Sequence, residues 1–146
     1  MLSQVIVDTS ALVAVINKRD SYHDWVCRQL SQIAPPLLTC EAVLSETWFL
    51  LRRVRGGHDS LLLLLEKRQV EVCFDLGLEM LPVIALLRKY QSVPTSVADA
   101  ELVRMAELFS DSPVLTLDSD FQIYRKNCVD MIPTIMPAFW WYLQAT

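Results

Sequence analysis

Glycine and proline are scarce in this chain. Its 146 residues include 3 glycines and 7 prolines, whereas 53% of them are hydrophobic. This composition excludes a disordered or fibrous protein, and a chain of this length buries enough surface for one full core. We therefore predict a single domain that comprises residues 1–146.

Positive charge is also in short supply. Lys and Arg number 13 against 17 Asp and Glu, which gives a formal net charge of −4 at pH 7. A protein that holds nucleic acid by charge alone usually carries a basic surplus, so that class is disfavoured. An enzyme that binds phosphate through metal ions remains allowed, because bound cations reverse the local charge.

The signals of a secreted or membrane protein are absent as well. The cysteines (Cys27, Cys40, Cys73 and Cys128) form no C-x-x-C pair, so we expect neither a disulfide framework nor a zinc site. No apolar run approaches the roughly 20 residues that span a bilayer, and no basic segment precedes the first apolar stretch. We therefore expect a soluble, cytoplasmic protein.

Short apolar runs alternate with longer segments of helical period. The predicted strands cover residues 4–7, 37–39, 70–74, 114–117 and, with a weaker pattern, 133–136. The predicted helices cover residues 10–17, 21–33, 41–54, 59–69, 78–90 and 97–109. This alternation predicts an α/β fold, in which helices flank a central, mostly parallel sheet. Two capping boxes are predicted at helix starts, one from Ser21 to Asp24 and one from Ser96 to Asp99.

Two acids directly follow predicted strands. Asp8 follows residues 5–7, and Asp118 follows residues 114–117, with Asp120 two positions further on. A helix cap at Asp8 and a turn at Asp118 would explain each acid separately. In parallel sheets, however, ligands bind at the carboxyl ends of strands, where the strand order reverses. In a sheet of order 3-2-1-4-5, Asp8 and Asp118 would end adjacent strands.

Two further acids lie on the apolar stripes of predicted helices. Asp99 precedes apolar residues by three, four and seven positions, although the capping box with Ser96 also explains it. Glu46 has apolar residues three and four positions away on both sides, and a helix face that packs on a core rarely carries Glu. Glu41 points elsewhere and is kept as the alternative to Glu46. Glu101 is predicted to be an ordinary solvated acid.

Four acids in one place would need protons or a cation. Two unit charges about 4 Å apart interact by about 4 kcal/mol at an effective dielectric near 20. A typical domain is stable by only about 5–15 kcal/mol, so several such repulsions could not be tolerated. Oxygen ligands alone suit Mg²⁺ or Mn²⁺ rather than zinc or copper. We therefore predict a divalent-metal site formed by Asp8, Asp99 and Asp118, with Glu46 beside it.

Four segments of the sequence resemble the PIN-domain ribonucleases, especially the small bacterial toxins of the VapC type. They are VIVDTSAL at residues 5–12, VLSE at 43–46, VADA at 97–100 and TLDSDF at 116–121. Each segment alone is a weak signal, but their order and spacing agree with the family over nearly the whole chain.

The resemblance implies a sheet of order 3-2-1-4-5 with an acidic metal site where the order reverses. It also implies hydrolysis of RNA phosphodiester bonds that depends on Mg²⁺ or Mn²⁺. The implied catalytic acids are Asp8, Glu46, Asp99 and Asp118. The implied supporting residues are Thr9, Ser10, Thr116 and Asp120, the last of which competes with Asp118 for the fourth acidic position. Proteins of this type often form homodimers and, as toxins, pair with a small antitoxin protein.

In the mechanism we expect, the metal activates a water molecule and Glu46 completes the outer shell or accepts the proton. Basic residues could guide RNA past the acidic cleft, although surface solubility explains most of them better. These residues are Arg52, Arg53, Arg55, Arg88 and Lys89.

Other functions remain open on the sequence alone. A haloacid-dehalogenase-type phosphatase needs an Asp where Ser10 stands, and a Toprim-type site needs a Glu where Asp8 stands, so both fit worse. The main alternative is a PIN-like binding or scaffolding module without turnover. The leucine run 61–65 and the aromatic segment 139–143 would suit such a module, although packing in the core is somewhat favoured for both.

Overall fold

Five short parallel strands form the central sheet in the computed structural model, which describes residues 1–138. Their order is β3-β2-β1-β4-β7, so β1 lies at the centre and the order reverses between β1 and β4. A separate antiparallel hairpin consists of β5 and β6. The strands are β1 Ile6–Val7, β2 Leu37–Thr39, β3 Val70–Val72, β4 Val114–Leu115, β5 Arg125–Lys126, β6 Asp130–Met131 and β7 Thr134–Ile135.

A 3-10 turn and the hairpin connect β4 to β7, and the three other connections between the parallel strands contain helices. The helices are α1 Thr9–Ile16, α2 His23–Leu30, α3 Glu41–Leu50, α4 Gly57–Glu66, α5 Met80–Lys89 and α6 Val97–Leu108. Short 3-10 turns at Leu51–Arg53 and Ser119–Gln122 continue α3 and follow β4. In residues 1–138, none of the helices has the length and apolar character required to cross a membrane.

The α/β fold and the strand order predicted from the sequence are confirmed. The fifth strand of the predicted order, expected at 133–136, is β7. Its number differs because the hairpin of β5 and β6 precedes it. That hairpin was missed, since two-residue strands with charged residues carry no alternating apolar pattern.

The centre of the sheet explains why its strands read as continuous apolar runs. Residues 5–7 and 114–115 are at most 1% exposed, as expected for parallel strands covered on both faces. A polar side chain at a strand end is therefore held between apolar layers, and burial removes much of its contact with water.

One of the two predicted capping boxes is absent. Helix α2 begins at His23, after Tyr22, and has no side-chain cap from Ser21. The side chain of Asp20 instead accepts a hydrogen bond from the Tyr22 N–H at 2.9 Å. This bond stabilises the turn before α2, one residue before the predicted cap at Ser21. The capping box between Ser96 and Asp99 is present at the start of α6.

The exposure of the leucine run 61–65 also differs from expectation. Leu61 is buried, but Leu62 and Leu63 are 42% and 48% exposed, so core packing of the whole leucine run was wrong. Helix α4 covers the core with one face, and five consecutive leucines necessarily extend past it. The aromatic segment 139–143 lies outside the described residues.

Glu101 is buried, contrary to the prediction that it is a solvated acid. Its residue exposure is 3%, because α6 packs against α3, α5 and β1 and buries seven of its 12 residues. Burial raises the pKa of the Glu101 carboxyl, and the nearby charge of Glu41 raises it further.

Candidate active site

Asp8 lies at the carboxyl end of β1, where α1 begins. Its side chain caps the helix: Oδ1 accepts hydrogen bonds from the Ala11 N–H at 3.2 Å and from the Ser10 hydroxyl at 2.6 Å. The other oxygen, Oδ2, accepts a hydrogen bond from the hydroxyl of Thr116, one residue beyond β4. Asp8 is 5% exposed, so this carboxyl group is largely enclosed, and it also lines the cavity described below.

Two hydroxyl groups connect the ends of the adjacent strands β1 and β4. The Ser10 hydroxyl donates to Asp8 and accepts from the Leu117 N–H at 3.0 Å. The Thr116 hydroxyl also donates to Asp8 and accepts from the Asp118 N–H at 2.9 Å. The backbone that carries Asp118 is therefore tied to Asp8 through side chains that can both donate and accept.

Asp118 begins the 3-10 turn that follows β4. Its Oδ1 accepts a hydrogen bond from the Asp120 N–H at 2.9 Å. Asp118 lines the central cavity of this site, and Asp120 is not among the lining residues that the structure describes. The geometry therefore favours Asp118 over Asp120 for the fourth acidic position.

Asp99 occupies the first turn of α6. Its Oδ2 accepts hydrogen bonds from the Ser96 N–H at 3.1 Å and from the Tyr124 hydroxyl at 3.3 Å, and its own N–H donates to Ser96 Oγ at 3.0 Å. Within residues 1–138, no hydrogen bond involves its Oδ1. One oxygen is thus fixed by the protein and the other remains available to a ligand.

Glu46 reaches the site from α3. Its Oε2 accepts a hydrogen bond from the Thr9 hydroxyl at 2.9 Å. The buried stripe predicted around Glu46 is only partly right, because Val43 is buried whereas Glu46 and Leu50 are exposed. Glu41, the alternative, lines a different cavity beside Glu101, so the geometry favours Glu46.

A single cavity of about 380 Å³ brings these acids together. We call it the acidic cavity. Asp8 and Asp118 come from the ends of β1 and β4, whereas Glu46 and Asp99 come from α3 and α6. The complete lining is Asp8, Thr9, Ser10, Val13, Asp20, Ser21, Tyr22, Glu46, Leu50, Ala98, Asp99, Leu102, Leu117 and Asp118.

Burial shifts the titration of two of these acids. It raises the pKa of Asp8 to about 6, against the hydrogen bonds from Ser10, Thr116 and Ala11, and the charge of Asp118 adds a smaller increase. Burial also raises the pKa of Asp118, with further increases from the charges of Asp120 and Asp99. A cation near these carboxyl groups would offset the repulsion and favour their ionised forms.

The donor set fits Mg²⁺ or Mn²⁺ chemically. Within residues 1–138, no three His, Cys, Asp or Glu side chains already form a group that could hold a metal ion. Mg²⁺ does not require one, because it is usually held by one or two carboxylates and keeps several water molecules. Asp8 and Asp118, whose charges interact, would supply such a pair of oxygen ligands, and within residues 1–138 no hydrogen bond competes for Oδ1 of Asp99.

Two residues of the site were missed by sequence reasoning. Asp20 lines the acidic cavity from the loop after α1, and Tyr124 holds Asp99 from beyond the 3-10 turn. Asp20 lies in a polar segment with ordinary turn composition, and Tyr124 has no recognisable motif around it. Only tertiary contacts bring these two residues to the acids.

Comparison with known proteins identifies the family of this chain. A family model described as PIN domain matches residues 5–127, which is most of the chain. The chain therefore belongs to the PIN-domain family. Members of this family are typically ribonucleases, and its nucleases generally use divalent metals.

Among solved structures, the chain is similar to VapC20 of Mycobacterium tuberculosis, which is described as a sarcin–ricin loop cleaving toxin. The two chains are 26% identical, with a TM-score of 0.68, and the match covers 82% of this chain and 94% of that chain. No curated protein sequence gives a significant match. The predicted resemblance to VapC-type PIN domains is thereby confirmed.

Proposed function

We propose that this protein is a ribonuclease that hydrolyses RNA phosphodiester bonds with the help of Mg²⁺ or Mn²⁺. The observation that carries the proposal is the acidic cavity, in which Asp8, Glu46, Asp99 and Asp118 meet where the strand order reverses. The similarity to a toxin described as cleaving the sarcin–ricin loop supports RNA as the substrate class.

In this proposal, Asp8, Asp99 and Asp118 are the metal ligands. When bound there, a divalent cation would supply a more acidic water molecule and would offset negative charge on the phosphate oxygens. Ser10 and Thr116 hold Asp8 in one orientation, and Tyr124 does the same for Asp99. Such supporting contacts orient ligands before the substrate arrives.

Glu46 is the proposed proton acceptor. It is more exposed than Asp8, and only its Oε2 accepts a hydrogen bond within residues 1–138, from Thr9. A carboxylate that is oriented by one hydroxyl and open to the cavity can take a proton from the attacking water. Thr9 would then keep the group directed toward the cavity while its charge changes.

The test is cleavage of total cellular RNA, including ribosomal RNA, in the presence of Mn²⁺. Asp99→Asn should reduce the rate by at least about 100-fold, because it weakens a ligand at the reacting centre. Asp111→Asn is the matched control, since Asp111 is exposed in the loop between α6 and β4, at the end of α6 away from Asp99. Both variants remove one negative charge.

Cleavage by the wild type and by Asp111→Asn, but not by Asp99→Asn, is the expected result. Equal cleavage by all three proteins would contradict the proposed site. Absence of cleavage in every sample would favour the alternative of a PIN-like binding or scaffolding module. Circular dichroism of each variant checks that a lost rate does not reflect lost folding.

Further aspects remain proposals by analogy with VapC-type proteins. These are a role as the toxin of a toxin–antitoxin pair, a small antitoxin partner, a homodimeric state and a cytoplasmic location. The exposed Leu62 and Leu63 on α4 are compatible with a partner or dimer contact. Sedimentation velocity of the purified chain tests the dimer, and co-expression with a protein encoded beside it tests the antitoxin.

A further inference from the structure

A second cavity, of about 480 Å³, lies at the junction of α1 and α4 and has the opposite charge. We call it the basic cavity. Its cationic lining residues come from two separate segments, Lys18 and Arg19 after α1 and Arg53 and Arg55 before α4. The complete lining is Ile16, Asn17, Lys18, Arg19, Arg53, Val54, Arg55, Gly56 and Ser60.

These four cations have no counterion within the described part of the chain. Across residues 1–138 the ion pairs involve Arg104 alone among Lys and Arg, and the side chains of Lys18, Arg19, Arg53 and Arg55 donate no hydrogen bond. The whole chain has 13 Lys and Arg residues and a net charge of −4, so four of them in one cavity is a marked concentration. Like charges that converge on a cavity create a local potential that attracts an anion.

The backbone around the basic cavity is held in place although its cationic side chains are not. On one side, Asn17 Oδ1 accepts a hydrogen bond from the Arg19 N–H at 3.1 Å, and the Asn17 carbonyl accepts one from the Asp20 N–H at 3.0 Å. On the other side, Gly56 adopts a left-handed conformation with φ of 70°, which lets α4 begin directly after the arginines. Both segments therefore present their cations from ordered turns.

The basic cavity and the acidic cavity are lined in part by the same loop. The loop between α1 and α2 lines both, with Lys18 and Arg19 on the basic side and Asp20 on the acidic side. Leu50 of the acidic cavity likewise lies three residues before Arg53. The 8-residue α1 starts at the acidic cavity and ends at the basic one, so about 12 Å of helix separates its two ends.

We propose that the basic cavity binds a backbone phosphate of single-stranded RNA, in a nucleotide that flanks the one cleaved in the acidic cavity. This inference rests on the proposed ribonuclease function and adds to it a defined substrate-binding site. Of the basic residues that the sequence suggested as RNA contacts, Arg53 and Arg55 line the basic cavity. Lys18 and Arg19 line it as well and were not suggested by the sequence. Arg52 is not selected, since its Nη1 donates to the Phe49 carbonyl at 2.9 Å.

Binding of phosphate in the basic cavity would offset the electrostatic repulsion between RNA and the acidic cavity. RNA is polyanionic, and the acidic cavity repels it wherever a metal ion does not intervene. Cations about one helix length away can hold a neighbouring phosphate and so keep the scissile bond near the acids. Phosphate contacts of this kind position a nucleic acid without reading its sequence.

The experiment measures binding of a fluorescein-labelled single-stranded RNA by fluorescence anisotropy, with every protein carrying Asp99→Asn to suppress cleavage. In this background we compare two double variants. The first carries Arg53→Gln and Arg55→Gln, and the control carries Arg28→Gln and Lys67→Gln. Both pairs remove two positive charges, and neither Arg28 nor Lys67 lines the two cavities. All four side chains (Arg28, Arg53, Arg55 and Lys67) are exposed.

We expect the Arg53 and Arg55 pair to raise the Kd about tenfold, and the control pair to change it by less than about twofold. The slope of log affinity against log salt should fall by about 1.4 for the first pair, at roughly 0.7 per lost contact with single-stranded RNA. Equal effects of the two pairs, or no binding by the parent protein, would overturn the basic cavity as an RNA subsite. If polyglutamate binds as tightly as RNA and with the same dependence on Arg53 and Arg55, the ligand is an acidic peptide and the RNA assignment is wrong.

Cleavage assays with Asp99 intact separate this inference from the proposed function. If the wild type does not cleave RNA, the proposed ribonuclease function is contradicted, whatever the binding result. Cleavage by the wild type together with an unchanged KM in the Arg53→Gln, Arg55→Gln protein contradicts only the subsite. A raised KM with kcat nearly unchanged is the result expected if the basic cavity binds a flanking phosphate.

Discussion

At the scale of single residues, hydroxyl groups orient three of the four acids of this site. Ser10 and Thr116 hold Asp8, Thr9 holds Glu46, and Tyr124 holds Asp99. A hydroxyl group can donate to a carboxylate without adding charge, so it orients the ligand and leaves it negative. Thr9 and Ser10 closely follow Asp8 in the sequence and Thr116 closely precedes Asp118, whereas Tyr124 lies in none of the sequence motifs.

Tyr124→Phe tests whether this missed residue orients Asp99. The variant removes the hydroxyl that donates to Asp99 Oδ2 at 3.3 Å but keeps the buried ring, which packs edge-on against Tyr90 and Phe121. We expect the Mn²⁺ concentration for half-maximal RNA cleavage to rise about tenfold, as is typical when a contact behind a metal ligand is lost. Saturating Mn²⁺ should restore most of the rate.

Tyr90→Phe is the control for this prediction. Its hydroxyl accepts a hydrogen bond from the Arg125 N–H at 2.7 Å and does not touch Asp99. A purely structural role of Tyr124 would give the two variants the same metal dependence, and that result would contradict the positioning role.

At the scale of elements, helix α6 presents a carboxyl group to the acidic cavity at its first turn and packs in the core along its later turns. Its first turn carries Asp99 in a capping box with Ser96, so one carboxyl group both stabilises the helix and faces the acidic cavity. Its later turns are enclosed on several sides, and this enclosure buries Glu101 where helical periodicity placed a solvated residue. Periodicity describes one buried face, and it cannot tell that a second face is also covered.

The two serines that begin similar S-x-x-D segments should differ in their effect on stability. Ser96→Ala should lower the free energy of unfolding by about 1 kcal/mol, because the serine accepts a hydrogen bond from the Asp99 N–H. Ser21→Ala should change it by less than about 0.5 kcal/mol, because α2 has no cap from that side chain. Urea unfolding monitored by circular dichroism measures both. Equal losses would indicate that the local sequence, rather than the observed start of α2, decides capping.

At the scale of the whole molecule, charge is separated into an acidic cavity and a basic cavity while the chain stays net negative. The acidic cavity is costly for the metal-free fold. Asp8 is buried, and its pKa is raised from 3.8 to about 6, so its charged form is less favourable in the folded state than in the unfolded state. Function and stability therefore oppose each other at this residue.

The stability of the metal-free protein should accordingly fall as the pH rises from about 4 to 6. Below this window Asp8 is protonated in both states, and above it the cost is complete, on the order of 3 kcal/mol for a pKa shift of this size. The comparison of wild type with Asp8→Asn, in chelator, isolates this group from the other acids. At pH 7.5 the variant should melt at a higher temperature than the wild type, and at pH 4 the difference should be much smaller.

Excess Mg²⁺ should raise the melting temperature of the wild type at pH 7.5 and have little effect on Asp8→Asn. This follows because a ligand that binds only the folded state stabilises it by mass action. If Mg²⁺ raises the melting temperature of both proteins equally, it binds elsewhere, and Asp8 is not a principal ligand.

The sequence by itself determined the α/β class, the succession of the helices and the five parallel strands along the chain, and the four acidic positions proposed for the site. Apolar periodicity and cap residues act over a few positions, so they can be recognised without knowledge of the fold. The same holds for Asp8 and Asp118, because an acid directly after an apolar strand is a local signal.

Only the tertiary structure decided which oxygens are engaged and which surfaces are covered. The bond from Thr116 to Asp8 joins residues 108 positions apart, the burial of Glu101 depends on neighbouring helices, and the contact of Tyr124 with Asp99 crosses two elements. The basic cavity likewise needs Lys18 and Arg55 to meet across the ends of α1 and α4. These features depend on packing between distant segments, and packing leaves no periodic mark in the sequence.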